Sequence, residues 1–437
     1  MQTIKVGVVS LGCDKNRVDT EKMLALLPKN CSIVTDVTLA DIIIINTCAF
    51  LQASRSEAIE EILMAINVKK ERPSVKIIVT GCLPQKFIDD IYTELPEVDA
   101  FMGVSDYDKI GKVINQILSG ERVRVIGQPC GEPTTKRVLT TNGYAYLKIA
   151  DGCSNHCTYC LIPYIRGKYR SVKMDELITE AKNLGNLNEL ILVAQDTTAY
   201  GRDLNDGSSL TLLIQKLSEL KNVNAIRLLY CYPENIDDSL IDQLKNNPKL
   251  IKYLDIPLQH ADDGVLKLMN RKGSYQSYLD LITKLKREVP SIALRSTFIT
   301  GFPQESEDAF NRLVEFIKKA QLFNAGFFAY SREEGTPAYK LSGQIPQSVK
   351  TKRVKKLYKT QLAVAKSIGK SLVGKTFFVV AEGFDNDRLT YFGRAYFNAP
   401  DVDGKIYFFS QKQVTYGKTY QVKITAVDGY DLYGDRQ

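Results

Sequence analysis

Nine cysteines in a chain of 437 residues are the side chains whose type and spacing could do chemistry. Three of them, Cys153, Cys157 and Cys160, stand as C-x3-C-x2-C inside Asp151-Gly-Cys-Ser-Asn-His-Cys-Thr-Tyr-Cys160. Cysteine thiolates hold iron-sulfur clusters, and three of them on a four-iron cube leave one iron open to another ligand. A structural zinc site would want a fourth ligand at finger-like spacing. His156 sits cramped within the motif and reads as a loop residue. Cys13, Cys48 and Cys82 each follow a run that reads as a strand, so a single parallel sheet would bring all three to its carboxyl edge, where α/β sheets bind ligands. Taken alone, that trio is equally well explained as small hydrophobic packing. Beside the first trio, a second open cluster is the better reading. Cys31 and Cys130 read as incidental, and Cys231, at a strand end, as packing.

The elements that must position these thiols follow from periodicity. Residues 4–11, 41–46 and 76–81 read as strands, and 17–27, 54–70, 84–95 and 106–118 carry apolar residues at helical spacing, which makes a parallel α/β layer. A segment rich in Gly, Pro and Thr follows, with one uncertain strand at 123–126. Strands at 144–150, 189–194, 225–230, 253–256, 293–299 and 324–329 then alternate with helical stretches. Six such steps form either a doubly wound sheet or a partial barrel, with functional loops at the carboxyl edge in both cases. After a basic helix at 348–371, short aromatic and β-branched runs suggest a small antiparallel barrel of about five strands. The expected class is a multidomain α/β protein, divided as 1–120, 121–142, 143–369 and 370–437.

Composition excludes several classes. With 44% hydrophobic and 25% charged residues the chain is neither disordered nor fibrous. No apolar run approaches the roughly 18 to 20 residues of a membrane span, and MQTIKVGVVSLGC reads as a first strand, not as a lipidated leader. An odd cysteine count without an export signal points to reduced thiols in a cytoplasmic protein. Two histidines support no Ser/His/Asp arrangement, and neither a Walker A loop nor a dinucleotide fingerprint is present. Residues 335–369 hold eight Lys or Arg and no acid, equal to the whole net charge of +8. One reading is a solvated helix face with Val354, Leu357, Leu362, Ala365 and Ile368 inward; the other is contact with a nucleic acid or ribonucleoprotein surface.

The C-x3-C-x2-C loop resembles that of the radical S-adenosylmethionine superfamily. Further motifs, SLGCDKNRVDTE, IPYIRGKYRS, DIPLQHADDGVLKLMNRKG, LRSTFITGFPQESEDAF and FAYSREEGTPA, resemble the methylthiotransferase family, and within it the branch that modifies ribosomal protein S-twelve. The tRNA-modifying branch typically has GCQ-N at the first cysteine and PVQSG where this chain has Pro257-Leu-Gln-His260. The resemblance implies an N-terminal methylthiotransferase domain, a partial (β/α)6 barrel and a C-terminal TRAM domain. It implies 3-methylthiolation of an aspartate, with two 4Fe-4S clusters, one on Cys13, Cys48 and Cys82 and one on Cys153, Cys157 and Cys160. S-adenosylmethionine and an electron donor such as flavodoxin or ferredoxin are implied with them. Gln195, Asp196, Gln259 and His260 are candidates to line the cofactor or substrate pocket, or to make loop hydrogen bonds. Gly301 and Pro303 suit a tight turn, and QES after GFP, where the family usually has GET, should alter that turn. The alternatives are a tRNA adenosine methylthiotransferase and a non-catalytic iron-sulfur protein.

Overall fold

The computed structural model describes residues 3–129 and 134–437, so Cys130 lies outside the described residues. The chain begins with β1 (Ile4–Ser10), α1 (Asp14–Ala25), β2 (Cys31–Val34), β3 (Ile42–Thr47), α2 (Gln52–Glu71), β4 (Lys76–Gly81), α3 (Cys82–Glu94), β5 (Ala100–Met102), α4 (Ile110–Leu118) and β6 (Val123–Val125). These strands pair in parallel in the order β2-β1-β3-β4-β5-β6. The run of four isoleucines in β3 explains its central place. Ile43 and Ile45 pack with α2 and α3 on one face, while Ile42 and Ile44 pack with Met23 and α4 on the other. A strand buried on both faces reads as a continuous apolar run, and each such side chain contributes roughly 1.5–3 kcal/mol.

Two short strands, β2 and β5, escape periodicity because four and three residues carry too little alternation. The uncertain strand near 123 is β6, which pairs with β5 and so belongs to the first sheet instead of a connecting segment. Helix α3 starts at Cys82, two residues ahead of Pro84, which fits a first turn that needs no N–H from it.

The central unit contains β7 (Tyr144–Lys148), β8 (Ala150–Asp151), α5 (Ile162–Ile165), β9 (Arg170–Ser171), α6 (Met174–Asn183), β10 (Glu189–Val193), α7 (Leu210–Ser218) and β11 (Ile226–Leu228). It continues through α8 (Asp238–Asn246), β12 (Leu250–Asp255), α9 (Asp263–Leu268), α10 (Tyr275–Glu288), β13 (Ala293–Thr300), α11 (Glu307–Ala320) and β14 (Asn324–Ala329). Its six long strands run β14-β13-β12-β11-β10-β7, all in parallel, with the two edge strands unjoined. This is the partial barrel. Leu190, Leu192, Leu228 and Leu254 pack toward the helices, whereas Ile191, Val193, Leu229 and Tyr253 join a cluster with the C-terminal residues Phe397 and Ala399.

Helix α12 (Gln347–Leu372) leads to a closed barrel of β15 (Thr376–Asp385), β16 (Thr390–Arg394), β17 (Ile406–Phe409), β18 (Thr419–Asp428) and β19 (Asp431–Arg436). One pair in it, β17 with β19, is parallel. The barrel docks at the amino ends of the central strands. Arg394 pairs with Glu189 at 3.0 Å, Arg227 donates to the Tyr396 carbonyl at 2.8 Å, and the Tyr253 hydroxyl donates to Asp403 at 2.7 Å.

The basic helix is more than a solvated face. Lys350 donates to the Tyr330 carbonyl at 2.8 Å and Arg353 pairs with Glu305 at 3.2 Å, so two of its cations point inward with Leu357, Val364 and Ala365. Lys350 also explains Gly301, whose φ is +74° and whose added Cβ would lie 2.4 Å from the Lys350 Cγ. The turn at GFPQES is built as follows. Gln304 adopts φ +66°, a left-handed conformation that suits glycine, while its N–H donates to the Gly343 carbonyl at 2.9 Å. That conformation costs a non-glycine residue on the order of 1 kcal/mol. Gln304→Gly should therefore raise unfolding stability by about 1 kcal/mol, as read by chemical denaturation; an unchanged or lowered value would contradict the strain.

Candidate functional site

Topology brings the first trio together. β1, β3 and β4 are neighbours, with Ser10 opposite Asn46 and Thr47 opposite Gly81, so Cys13, Cys48 and Cys82 leave three adjacent carboxyl ends. Gly12 and Gly81 let the turns approach one another. Their φ values are +87° and +97°, and an added Cβ would lie 2.6 Å from the Cys48 Cβ or 2.4 Å from the Asn46 Oδ1. Asn16 pins the cluster of turns from α1. Its Nδ2 donates to the Leu11 and Thr47 carbonyls, each at 3.0 Å, and its Oδ1 lies 4.0 Å from the Cys13 Sγ and 3.8 Å from the Cys82 Sγ.

The second trio sits on the loop after β8. Gly152, at φ +77°, starts that loop where an added Cβ would meet the Lys168 carbonyl oxygen at 2.2 Å. Thr158 ties the loop to the end of α9 through the Met269 and Leu268 carbonyls, and Asn270 donates to the His156 carbonyl at 3.0 Å. His156 itself is a loop residue with φ +50°.

All six cysteines line one cavity of about 660 Å³. Its wall also includes Lys15, Asn16, Arg166, Gln195, Gln259 and Arg271. Burial pushes the Cys82 thiol up to about 12, against the nearby Arg166 guanidinium, and pushes Cys153 up to about 11. Cys48 and Cys160 are raised by burial as well. Such thiols are poor lone nucleophiles but fit metal ligation, in which the metal displaces the proton. The donor set, sulfur from two trios around one cavity, fits two iron-sulfur clusters.

A buried charge junction holds the two trios in one frame. Arg166, 1% exposed, donates to both Asp151 oxygens at 3.1 and 2.9 Å, to Asp19 at 2.9 Å and to Asn16 at 2.7 Å. Lys148 pairs with Asp19 and, at 3.2 Å, with Asp151. Asp19 and Asn16 come from α1, the others from the central unit. Burial alone would raise the Asp151 carboxyl, yet Arg166 and Lys148 hold it well below the usual range. A second junction joins Arg137 to Glu21 and Glu180, with Lys22 pairing Glu180 at 3.0 Å.

The pocket candidates divide. Gln195 lines the cavity and donates to Asp151 at 3.1 Å, and Gln259 lines it with a φ of +71°. Asp196 lies behind the wall, accepting from Asn155 at 2.9 Å and Asn235 at 3.3 Å. His260 is fully buried, with its Nδ1 accepting from the Asp262 N–H at 2.9 Å and its Nε2 3.4 Å from Glu305. Both brace loops that carry wall residues. Cys231 is buried outside the wall, as packing. Sequence reasoning missed Lys15, Asn16, Asp19, Lys148, Arg166, Tyr230, Tyr232 and Arg271. The polar run Asp14-Lys-Asn-Arg17 directly after Cys13 was the available signal.

Comparison with known proteins agrees with this architecture. Residues 147–317 match the Radical SAM superfamily, 5–103 match Uncharacterized protein family UPF0004, and 373–436 match the TRAM domain. A ribosomal protein uS12 methylthiotransferase RimO from Acetivibrio thermocellus is 44% identical over 99% of this chain and 98% of its own. One from Lachnoclostridium phytofermentans is 45% identical over 99% of both. The chain belongs to the ribosomal protein uS12 methylthiotransferase family. Among solved structures, the radical S-adenosylmethionine methyltransferase TsrM from Kitasatospora setae, with cobalamin and a [4Fe-4S] cluster bound, shares the fold. Its TM-score is 0.58 at 12% identity, covering 77% of each chain. The cobalamin-dependent radical enzyme OxsB has a TM-score of 0.53 at 12% identity, covering 82% of this chain and 56% of its own. No helix among the described residues is long and apolar enough to cross a membrane.

Arg166→Met leaves Asp19 and Asp151 sharing one buried cation. It should cost about 3–5 kcal/mol of stability, measured by chemical denaturation, and a loss below about 1 kcal/mol would contradict the junction's role.

Proposed function

We propose that this chain replaces a β-hydrogen of one aspartate in ribosomal protein uS12 by a methylthio group. The observation that carries the reading is the convergence of both cysteine trios on one cavity. Cys153, Cys157 and Cys160 would hold the cluster that works with S-adenosylmethionine, and Cys13, Cys48 and Cys82 the auxiliary cluster that presents the sulfur. When bound, these groups supply the one-electron chemistry that activates an unactivated C–H bond.

The chain's own side chains do the positioning. Asn16 and Arg166 fix the auxiliary thiols relative to the second loop. Tyr230, Tyr232 and Phe328 supply apolar wall that keeps water from a reactive intermediate. Gln195 and Gln259 offer polar groups at the wall, where the Gln195 Oε1 has no hydrogen-bond partner among the described residues.

A protein substrate fits the C-terminal barrel, whose residues 370–437 hold nine basic and eight acidic side chains. Net charge this near zero is unlike a strong RNA-binding surface. The exposed lysines Lys352, Lys355, Lys356, Lys359 and Lys366 of α12 offer a contact for ribosomal RNA. On this reading the protein would act in the cytoplasm, with a flavodoxin or ferredoxin as electron donor.

Mass spectrometry of uS12 and of tRNA from a deletion strain tests the reading. The methylthio mark on uS12 should disappear while tRNA stays unchanged, and loss of a tRNA mark alone would reject it. Replacing Cys153, Cys157 and Cys160 together by Ala should leave about half of the iron after reconstitution. Retention of all the iron would refute their assignment.

A further inference from the structure

The turn that carries Cys48 runs directly into α2, which starts at Gln52. Burial raises the Cys48 thiol, and the donors that offset it are the Phe50 N–H and the Ser54 hydroxyl, from the turn and from the first turn of the helix. Ser54 also lines the cavity. The start of α2 therefore bears on the auxiliary trio. A helix N-terminus leaves its first N–H groups without intrahelical partners. The residue in place to cap this one is Leu51, and its side chain makes no capping hydrogen bond.

The cap comes from the central unit instead. Glu333, 1% exposed, accepts from the Gln52 N–H at 2.9 Å with one oxygen and from Arg55 at 2.6 Å with the other. A carboxylate at the start of a 20-residue helix is further favoured by the helix dipole. Arg55 in turn lies 5.4 Å from the centre of the Phe87 ring on α3, the helix that opens at Cys82.

Glu333 belongs to a segment after β14, residues 331–338, that holds the other trio as well. The Ser331 hydroxyl donates to the Glu333 carboxylate, and the Thr336 hydroxyl donates to the Glu333 carbonyl at 2.7 Å. At the far end of the segment the Ala338 N–H donates at 2.9 Å to the carbonyl of Thr158, which stands between Cys157 and Cys160. One short segment thus grips the C-x3-C-x2-C loop and the helix that follows Cys48.

We propose that Glu333 is a positioning residue of the auxiliary trio, capping α2 from the central unit so that Cys48 keeps its place relative to the C-x3-C-x2-C loop. The inference rests on the function proposed above, in which cleavage of S-adenosylmethionine at one trio is productive only with the sulfur of the other within reach. Glu333 is not among the residues that line the cavity, so it acts through α2.

The test compares wild type, Glu333→Ala and Glu333→Gln as reconstituted holoenzymes of equal iron content. Hydrogen exchange read by mass spectrometry reports the cap: in Glu333→Ala the first-turn amides of α2 should exchange about 5-fold faster or more, with α4 unchanged. Electron paramagnetic resonance should show an altered auxiliary-cluster signal and an unaltered signal from the second cluster. The ratio of 5′-deoxyadenosine formed to methylthio groups transferred should rise by about 10-fold or more, with cleavage near the wild-type rate. Glu333→Gln keeps an acceptor for Gln52 and loses the charge beside Arg55, so it should fall between, and it carries the comparison should the Ala variant fail to load its clusters. Unchanged exchange in α2, an unchanged auxiliary signal, or cleavage and transfer falling together each overturns the proposal. If wild type transfers no methylthio group to uS12 while exchange and auxiliary signal both respond to Glu333, the functional reading alone fails.

Discussion

The site depends on one interaction, the buried junction of Arg166 and Lys148 with Asp19 and Asp151. Two cations and two carboxylates balance, and Asn16 accepts a further bond from the Arg166 Nη2. Burying four charges brings little net stability compared with an apolar junction, but removing one member leaves another unpaired. The arrangement therefore favours one relative placement of the two units. Because Asp151 opens the loop of the second trio and Asn16 touches the first, that placement is also the spacing of the thiols.

The remaining contacts reinforce this division. The C-terminal barrel meets the central strands through Glu189, Arg227 and Tyr253, and the cysteine loop of the second trio follows β8. At the cavity's other flank, Glu333 beyond β14 pairs with Arg55 at 2.6 Å and accepts from the Gln52 N–H at 2.9 Å, fastening the start of α2. Apolar contacts cross the same boundary, since Leu161 and Ile165 of the central unit join the core around Ile45 and Val79.

Much of this was legible in the sequence. The cysteine spacing and the strand-then-cysteine pattern each identify a trio, because parallel strands put their following loops on one edge. The order of the sheet, which makes β1, β3 and β4 neighbours, was not legible, nor were β2 and β5. Helix α1 shows why the junction stayed hidden. Lys15, Asn16, Asp19, Glu21 and Lys22 are all buried, although their types place them on a solvated face. Asp19, Glu21 and Lys22 find their charged partners more than a hundred positions away, at Lys148 and Arg166, at Arg137 and at Glu180, and periodicity carries no information about such pairs. Gln304 departs in the other direction. The sequence shows a glutamine after Gly-Phe-Pro but not that its backbone is left-handed, a conformation that suits glycine.

The central claim is that both clusters occupy one cavity and work as a unit. Electron paramagnetic resonance of the anaerobically reconstituted, dithionite-reduced protein tests it most directly, compared with two variants that each lack one trio. The account predicts spectra broadened by coupling between the two clusters in the wild type and a single uncoupled signal in each variant. A wild-type spectrum equal to the sum of the two variant spectra, with full iron present, would contradict it.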